Sequence, residues 1–260
     1  MPTATLHEKL YGSGSPATFM ETYSSLLRGL KVHLDFAGTT DRGWVQVDIS
    51  GEDETAALNY LDREIGLVPV SADNLEKFSV ISGKIVFSGK SESELYVDVG
   101  VFSPKVYDVV LSAQRLRAQL ADGKEISLRI LIELFCLQDN MPLEVKVVQD
   151  VDEQNKNVEG RLTEAQVSVF GSWVHDSFDR LIILGAHYTD VERAVKLSRS
   201  YRDTIKINSL GTLEHAVLCK LGTDAVGLIP KVGRYLPESV LVPFSPKKVL
   251  DAVGNQSFNW

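Results

Sequence analysis

Residues 79–101 read SVISGKIVFSGKSESELYVDVGV, and their pattern decides the fold class. In 94–101, Leu95, Val97, Val99 and Val101 alternate with Tyr96, Asp98 and Gly100, the period of a strand with one buried face. That alternation predicts that Tyr96 and Asp98 look outward. The β-branched bias continues in YDVVLS (107–112), ISLRILIELFCL (126–137) and LEVKVV (143–148), so five short strands are expected to close a small barrel over residues 78–149. Residues 113–120 read as a short helix between the third and fourth strands, an insertion common in barrels of the OB type.

On the N-terminal side, residues 1–77 are expected to form an α/β unit. An apolar stretch spans 6–11, Ser15 and Pro16 start a helix, and Phe19, Tyr23, Leu26, Leu27 and Leu30 line one face of it. Strands are predicted at 32–36 and 44–49 around the turn GTTDRG, followed by a helix opened by Ser50–Asp53 and stopped by Gly66 and Pro69. This order fits a ferredoxin-like sandwich whose last strand the residues do not place. On the other side, residues 150–161 are polar and read as a linker, and residues 162–260 as a C-terminal α/β domain. Within it, a helix is expected over 163–173, a buried strand at RLIILGA (180–186), a capped helix from Thr189, and strands at DTIKIN (203–208) and SVLVPF (239–244). Ser245 and Pro246 open a last helix, and the end NQSFNW is expected to fray. In residues 211–236 short apolar runs leave helix and strand both open. The fold class is therefore α/β (α+β) in three parts.

Composition bounds the function classes. With 44% hydrophobic and 24% charged residues the chain has the make-up of a globular protein, and no run is long and apolar enough to span a bilayer. The start of the sequence lacks the basic-then-apolar order of a signal peptide, and the two cysteines, Cys136 and Cys219, call for no disulfide framework, so a cytoplasmic location without a membrane partner is expected. A formal net charge of −8 opposes polyanion binding by bulk charge, although the acidic excess is concentrated in residues 48–76. There is no phosphate-loop or dinucleotide fingerprint, no nucleophile elbow and no zinc spacing; YGSGSP (11–16) has only part of a glycine motif. His215 with Cys219, His175 with Asp176 and His187 with Asp190 are scattered pairs, so no cofactor, metal or catalytic residue is expected from them.

The most suggestive surface is the barrel. Tyr96 would offer a base-stacking face, and Lys90, Arg115, Arg117 and Lys124, with Lys105 and Arg129 nearby, would track a backbone. The segment KLGTDAVGLIPKVGRYLP combines glycines with Lys220, Lys231 and Arg234, which would add contacts; the glycines serve equally well for turns and close packing. The expected function is an RNA-binding or translation-associated factor with RNA or the ribosome as partner. Two alternatives stand beside it. One is an enzyme with a site around His215, Lys220, Thr223, Asp224 and Lys231, and the other is a protein-interaction scaffold. Oligomeric state is not readable from the residues.

The stretches RGWVQVDISGEDE, VPVSADNLEKFSVISGKI, ELYVDVGV, LRAQL and LGTLEHAVLCKLGTDAVGLIPKVGRYL resemble the archaeal family named domain of unknown function 2110, over most of the chain. That resemblance implies archaeal origin and cytoplasmic residence and transfers no catalytic residue. GKIVFSGKSESELYVDVGV is separately similar to the first two strands of the OB barrels repeated in a bacterial ribosomal RNA-binding protein. That repeat has an aromatic and glycine pair before its second strand, whereas residues 91–94 here are Ser-Glu-Ser-Glu.

Overall fold

The computed structural model describes residues 3–149 and 157–254; the expected fraying at 255–260 and the first part of the linker, 150–156, lie outside the described residues. Mixed α/β architecture is what the chain adopts, in three sheets. The first sheet holds β1 (Thr3–Lys9), β2 (Val32–Thr39) and β3 (Trp44–Gly51) in the order β1-β3-β2, all antiparallel. Helices α1 (Pro16–Leu26) and α2 (Glu54–Glu64) cover one face, burying Phe19, Tyr23, Ala57 and Leu61 against Leu6, Val45, Val47 and Ile49. The strand that the residues did not place is reduced to a bridge. Leu67 pairs antiparallel with Leu6, Val68 N–H donates to Thr5 O at 3.1 Å and His7 N–H to Gly66 O at 2.9 Å. It therefore lies beside β1 on the side away from β3, where a ferredoxin-like sandwich has its last strand, and Pro69, which lacks an N–H, keeps it short.

The second sheet starts with the two-residue β4 (Val70–Ser71), parallel to part of β6. Strands β5 (Val80–Val86), β6 (Glu94–Ser103) and β7 (Tyr107–Ser112) follow, then helices α3 (Ala113–Leu120) and α4 (Leu128–Phe135), then β8 (Pro142–Val147) and β9 (Asn157–Leu162). Pairings run β5–β6, β6–β7, β7–β9, β9–β8 and β8–β5, so each of the five strands has two neighbours; β7–β9 is parallel and the others antiparallel.

Two expectations are corrected here. ISLRILIELFCL is a helix, not a strand: Leu128, Leu131, Ile132 and Phe135 bury one stripe at helical spacing, Ser127 Oγ accepts from Ile130 N–H at 3.3 Å, and Cys136 in the left-handed region ends it. Its apolar density hid a 3.6-residue period. The strand supplied in its place is Asn157–Leu162, read from sequence as linker. There Val158, Gly160 and Leu162 face inward between Asn157, Glu159 and Arg161, and a β-carbon at Gly160 would run into Val109 Cγ1. A strand with glycine at the centre of its buried face carries little apolar signal.

The third sheet has order β11-β12-β10-β13, all antiparallel: β10 (Arg180–Leu184), β11 (Thr204–Ser209), β12 (Glu214–Cys219) and β13 (Val240–Phe244). Helices α5 (Glu164–His175) and α8 (Pro246–Val253) cover one face, α6 (Tyr188–Leu197) and α7 (Ala225–Gly233) the other, which is why residues 181–184, LIIL, are apolar throughout. The ambiguous segment 211–236 resolves into β12, a turn, and α7 capped by Asp224, whose carboxylate accepts from Val226 N–H at 2.9 Å. Thr189 does not cap α6; that position belongs to His187. No helix of the described residues is long and apolar enough to cross a membrane.

Replacing Gly160 by valine is expected to overpack the interior beside Val109 and cost about 1–3 kcal/mol. The urea midpoint should fall with the slope unchanged.

Candidate functional site

The charges that matter sit where the three sheets meet. Lys84 projects from the outer face of β5, where it would be solvated if the second sheet stood alone, yet it is 1% exposed. Its Nζ donates to Glu8 Oε2 of β1 at 3.0 Å and to Glu214 Oε1 of β12 at 2.8 Å. Glu8 Oε1 also accepts from Thr212 N–H at 3.1 Å and from the Thr212 hydroxyl at 2.7 Å. The Tyr11 hydroxyl donates to Glu214 Oε1. One residue along β1, Lys9 Nζ donates to Asp98 Oδ2 at 2.6 Å, Trp44 Nε1 to the same oxygen at 3.1 Å, and Arg42 forks onto Asp108 at 2.8 and 3.1 Å. Asp98 does leave the inner face of its strand as the alternation required, but it is buried under the first sheet rather than exposed.

Two carboxyls share one ammonium, and their surroundings push them apart. Burial works to raise Glu8, but Lys84 and the Thr212 donors outweigh it and hold that carboxyl below its ordinary range. Burial pushes Glu214 up, Lys84 pulls it back, and the Glu8 charge pushes it further. Of the two, Glu214 is therefore the carboxyl that takes up a proton first as pH falls, and Glu8 the one that holds its charge longer. Glu214 Oε1 already accepts from Lys84 and Tyr11, so Oε2 is the oxygen on which a proton would sit.

Beside this network lies a cleft of about 840 Å³, lined from all three sheets: His7 and Glu8 of β1, Ser82 and Lys84 of β5, Glu144 of β8, Glu214 and His215 of β12. Gln166, Val169 and Trp173 face it from α5 and His187, Tyr188 and Thr189 from the start of α6. Burial lowers the pKa of His7, His187 and His215, favouring neutral imidazoles. His215 Nε2 is 3.0 Å from Ala186 O, so that nitrogen carries the proton and Nδ1 keeps its lone pair. Among the described residues six buried side-chain polar atoms lack a hydrogen-bond partner, and four of them, His7 Nε2, His187 Nε2, Glu214 Oε2 and His215 Nδ1, belong to residues lining this cleft. Buried polar atoms are rarely left unpaired, so water or a ligand in the cleft is what would complete these bonds.

The eight residues expected to touch RNA are held by local partners, and none lines the cleft. The Tyr96 hydroxyl donates to Glu94 at 2.6 Å, and Lys90 sits 3.7 Å above the Phe87 ring. Arg115 pairs with Glu159 at 2.7 Å, Arg117 with Glu125 at 3.3 Å and with Ile126 O at 2.6 Å, and Lys124 donates to Val253 O. In the third unit Lys220 donates to Arg202 O at 2.7 Å, Lys231 is 3.7 Å from Asp203, and Arg234 Nε donates to Lys231 O at 3.2 Å. Of the five residues suggested for an enzyme site, only His215 lines the cleft, because Lys220 and those after it follow the opposite end of β12. His215 and Cys219 share a strand, not a helical face, and among the described residues no cluster of three or more metal-ligating side chains occurs. Sequence reasoning missed Glu8, Lys84 and Glu214. The available signal was a charged side chain inside an otherwise buried strand, in GKIVF and LEHAVLC.

Residues 3–71 match the DUF2110 N-terminal domain and residues 178–242 match the DUF2110 C-terminal domain. No curated protein matches the chain.

Lys84→Met removes the shared ammonium and leaves Glu8 charged and buried, so a loss of about 3–5 kcal/mol is expected in chemical unfolding. Linkage separates the two carboxyls. The depressed Glu8 contributes stability that is present above its ordinary 4.5 and disappears as pH falls through its folded value. For the raised Glu214, the contribution is complete below 4.5 and disappears as pH rises through its folded value. Glu214→Gln should therefore gain on the wild type as pH rises through that range; parallel stability curves for the two proteins would refute the assignment.

Proposed function

This chain belongs to the DUF2110 family, and from that premise we propose that its working part is the cleft joining its N- and C-terminal domains: a binding site for a small polar molecule, with Glu214 as the carboxyl that exchanges a proton there. The observation that carries this reading is the gathering of four unsatisfied buried polar atoms around a single cleft of about 840 Å³. That volume suits a metabolite-sized ligand. Hydroxyls of Thr18, Thr22, Ser82 and Ser209 supply further polar contacts, and Trp173 and Tyr188 supply aromatic wall. His33 and His175 lie outside the cleft, so the five histidines give an internal control. Protein purified without denaturation from its own cells should carry a small molecule detectable by native mass spectrometry. Stripping it should move the imidazole NMR signals of His7, His187 and His215 and leave those of His33 and His175 in place. Signals that stay unchanged between loaded and stripped protein would refute the site.

A second reading keeps RNA as partner. Its support is the connection order of the five strands, β5-β6-β7-β9-β8 closing back on β5, which is that of an OB-type barrel with a helical insertion after the third strand. Two aromatics flank β5 with cations beside them: Phe78, 62% exposed, has Lys77 and Lys146 within 5.8 Å of its ring, and Phe87 has Lys90 at 3.7 Å. Both phenylalanines have positive φ, 71° and 56°, a conformation that bulky side chains rarely hold. On this reading the stacking faces are Phe78 and Phe87 rather than Tyr96. Single-stranded RNA should bind with a steep salt dependence and lose about 1–3 kcal/mol on Phe78→Ala. Salt-insensitive binding, or none, would refute it.

A further inference from the structure

We propose that the ligand of the cleft is a cation bearing a protonated amine or guanidinium group, held between Glu214 and Glu144 beside the ring of Tyr188. The inference rests on the small-molecule reading above and goes beyond it to the chemical class. Carboxyls dominate the lining: Glu8, Glu64, Glu144 and Glu214, with Lys84 the one ammonium and no arginine among the lining residues. That ammonium is already divided between Glu8 and Glu214. An anionic ligand would meet no uncommitted positive charge, whereas a cation meets Glu144 and Glu214, since Glu64 is paired with Arg63 and Glu8 with Lys84. Glu214 is 0% exposed and His215 1%; as successive residues of β12 they point to opposite faces, so Glu214 borders the cleft from the side of Lys84 and His215 from the side of Tyr188. At the rim, Glu144 Oε1 accepts from the Thr163 hydroxyl at 2.6 Å, which fixes that carboxylate in place. The ring of Tyr188 is 5.9 Å from that of His215 and 44% of the residue is exposed, leaving an aromatic face for a planar cation.

Charge balance gives the inference a second signature. With Glu8 ionised and Lys84 protonated the pair is neutral, and a bound cation is matched when Glu214 gives up its proton. The groups facing Glu214 are Lys84 from β5, Glu8 and Tyr11 from β1 and the turn after it, and Tyr23 from α1. Glu8 is the one further negative charge among them and is matched by Lys84, because burial and the two carboxyls raise both tyrosines far above neutrality. Binding should therefore release a proton and strengthen as pH rises.

The experiment titrates the full chain with agmatine, spermidine, glutarate and pentane-1,5-diol, following the five histidine imidazole signals by NMR and the proton exchanged by calorimetry in buffers of different ionisation enthalpy. Agmatine or spermidine is expected to move the signals of His7, His187 and His215 only and to release a proton. Glu144→Gln and Glu214→Gln should each weaken binding about tenfold, the loss of one charge-assisted hydrogen bond. The proton release should vanish in Glu214→Gln. Dispersed backbone amide signals in the same spectra report that each variant is folded. If glutarate or the diol moves the cleft histidines as strongly as the cations, the cleft stands and the ligand class is wrong. If none of the four moves them, both readings fall.

Discussion

One ammonium group, Lys84 Nζ, is bonded to a carboxyl from each of the other two sheets, at 3.0 Å and 2.8 Å, in a region closed to solvent. The geometry makes separation of the sheets costly. Any movement that draws β1 or β12 away from β5 leaves a charge desolvated and unpaired, which costs far more than the pair itself contributes. The Lys9, Trp44 and Asp98 cluster repeats the arrangement one residue further along β1, so the first sheet is clamped to the second at two adjacent points. The second and third sheets share one apolar core, and these polar bonds tie the first sheet to both.

Such a network is a poor way to gain stability alone, since well-packed apolar side chains of the same volume commonly do as well or better. Its value lies in what it fixes. With Glu8 satisfied by Lys84 and both Thr212 donors, the burden of an unfavourable carboxyl falls on Glu214, which faces the cleft with one oxygen unpaired. Local packing, charge state and availability for a ligand are set there by the same few bonds.

Much of the fold was legible in the residues. The alternation in 94–101, the Ser-Pro helix starts at 15–16 and 245–246, and the polar-apolar rhythm of the first unit all correspond to observed elements. Two readings failed for opposite reasons. Residues 126–137 are so apolar that a helical stripe was hidden, and Asn157–Leu162 are so polar, with glycine at the inward centre, that a strand was hidden. The site was scarcely legible. Lys84, Asp98 and Glu214 occupy outward or buried strand positions whose meaning depends on a second sheet arriving to cover them, and no local period encodes that event. The cations that composition made conspicuous, Arg115, Arg117 and Lys231, turned out to face carboxylates, which sequence spacing also leaves unspecified.

The late arrival of β9 has a practical corollary. A fragment ending at residue 149 would lack the strand that pairs with both β7 and β8, and would display two open edges on otherwise saturated strands. Bare edges of that kind recruit other chains. Anyone excising the middle of this protein should therefore carry the cut past Leu162, or expect insoluble material whatever the quality of the remaining core.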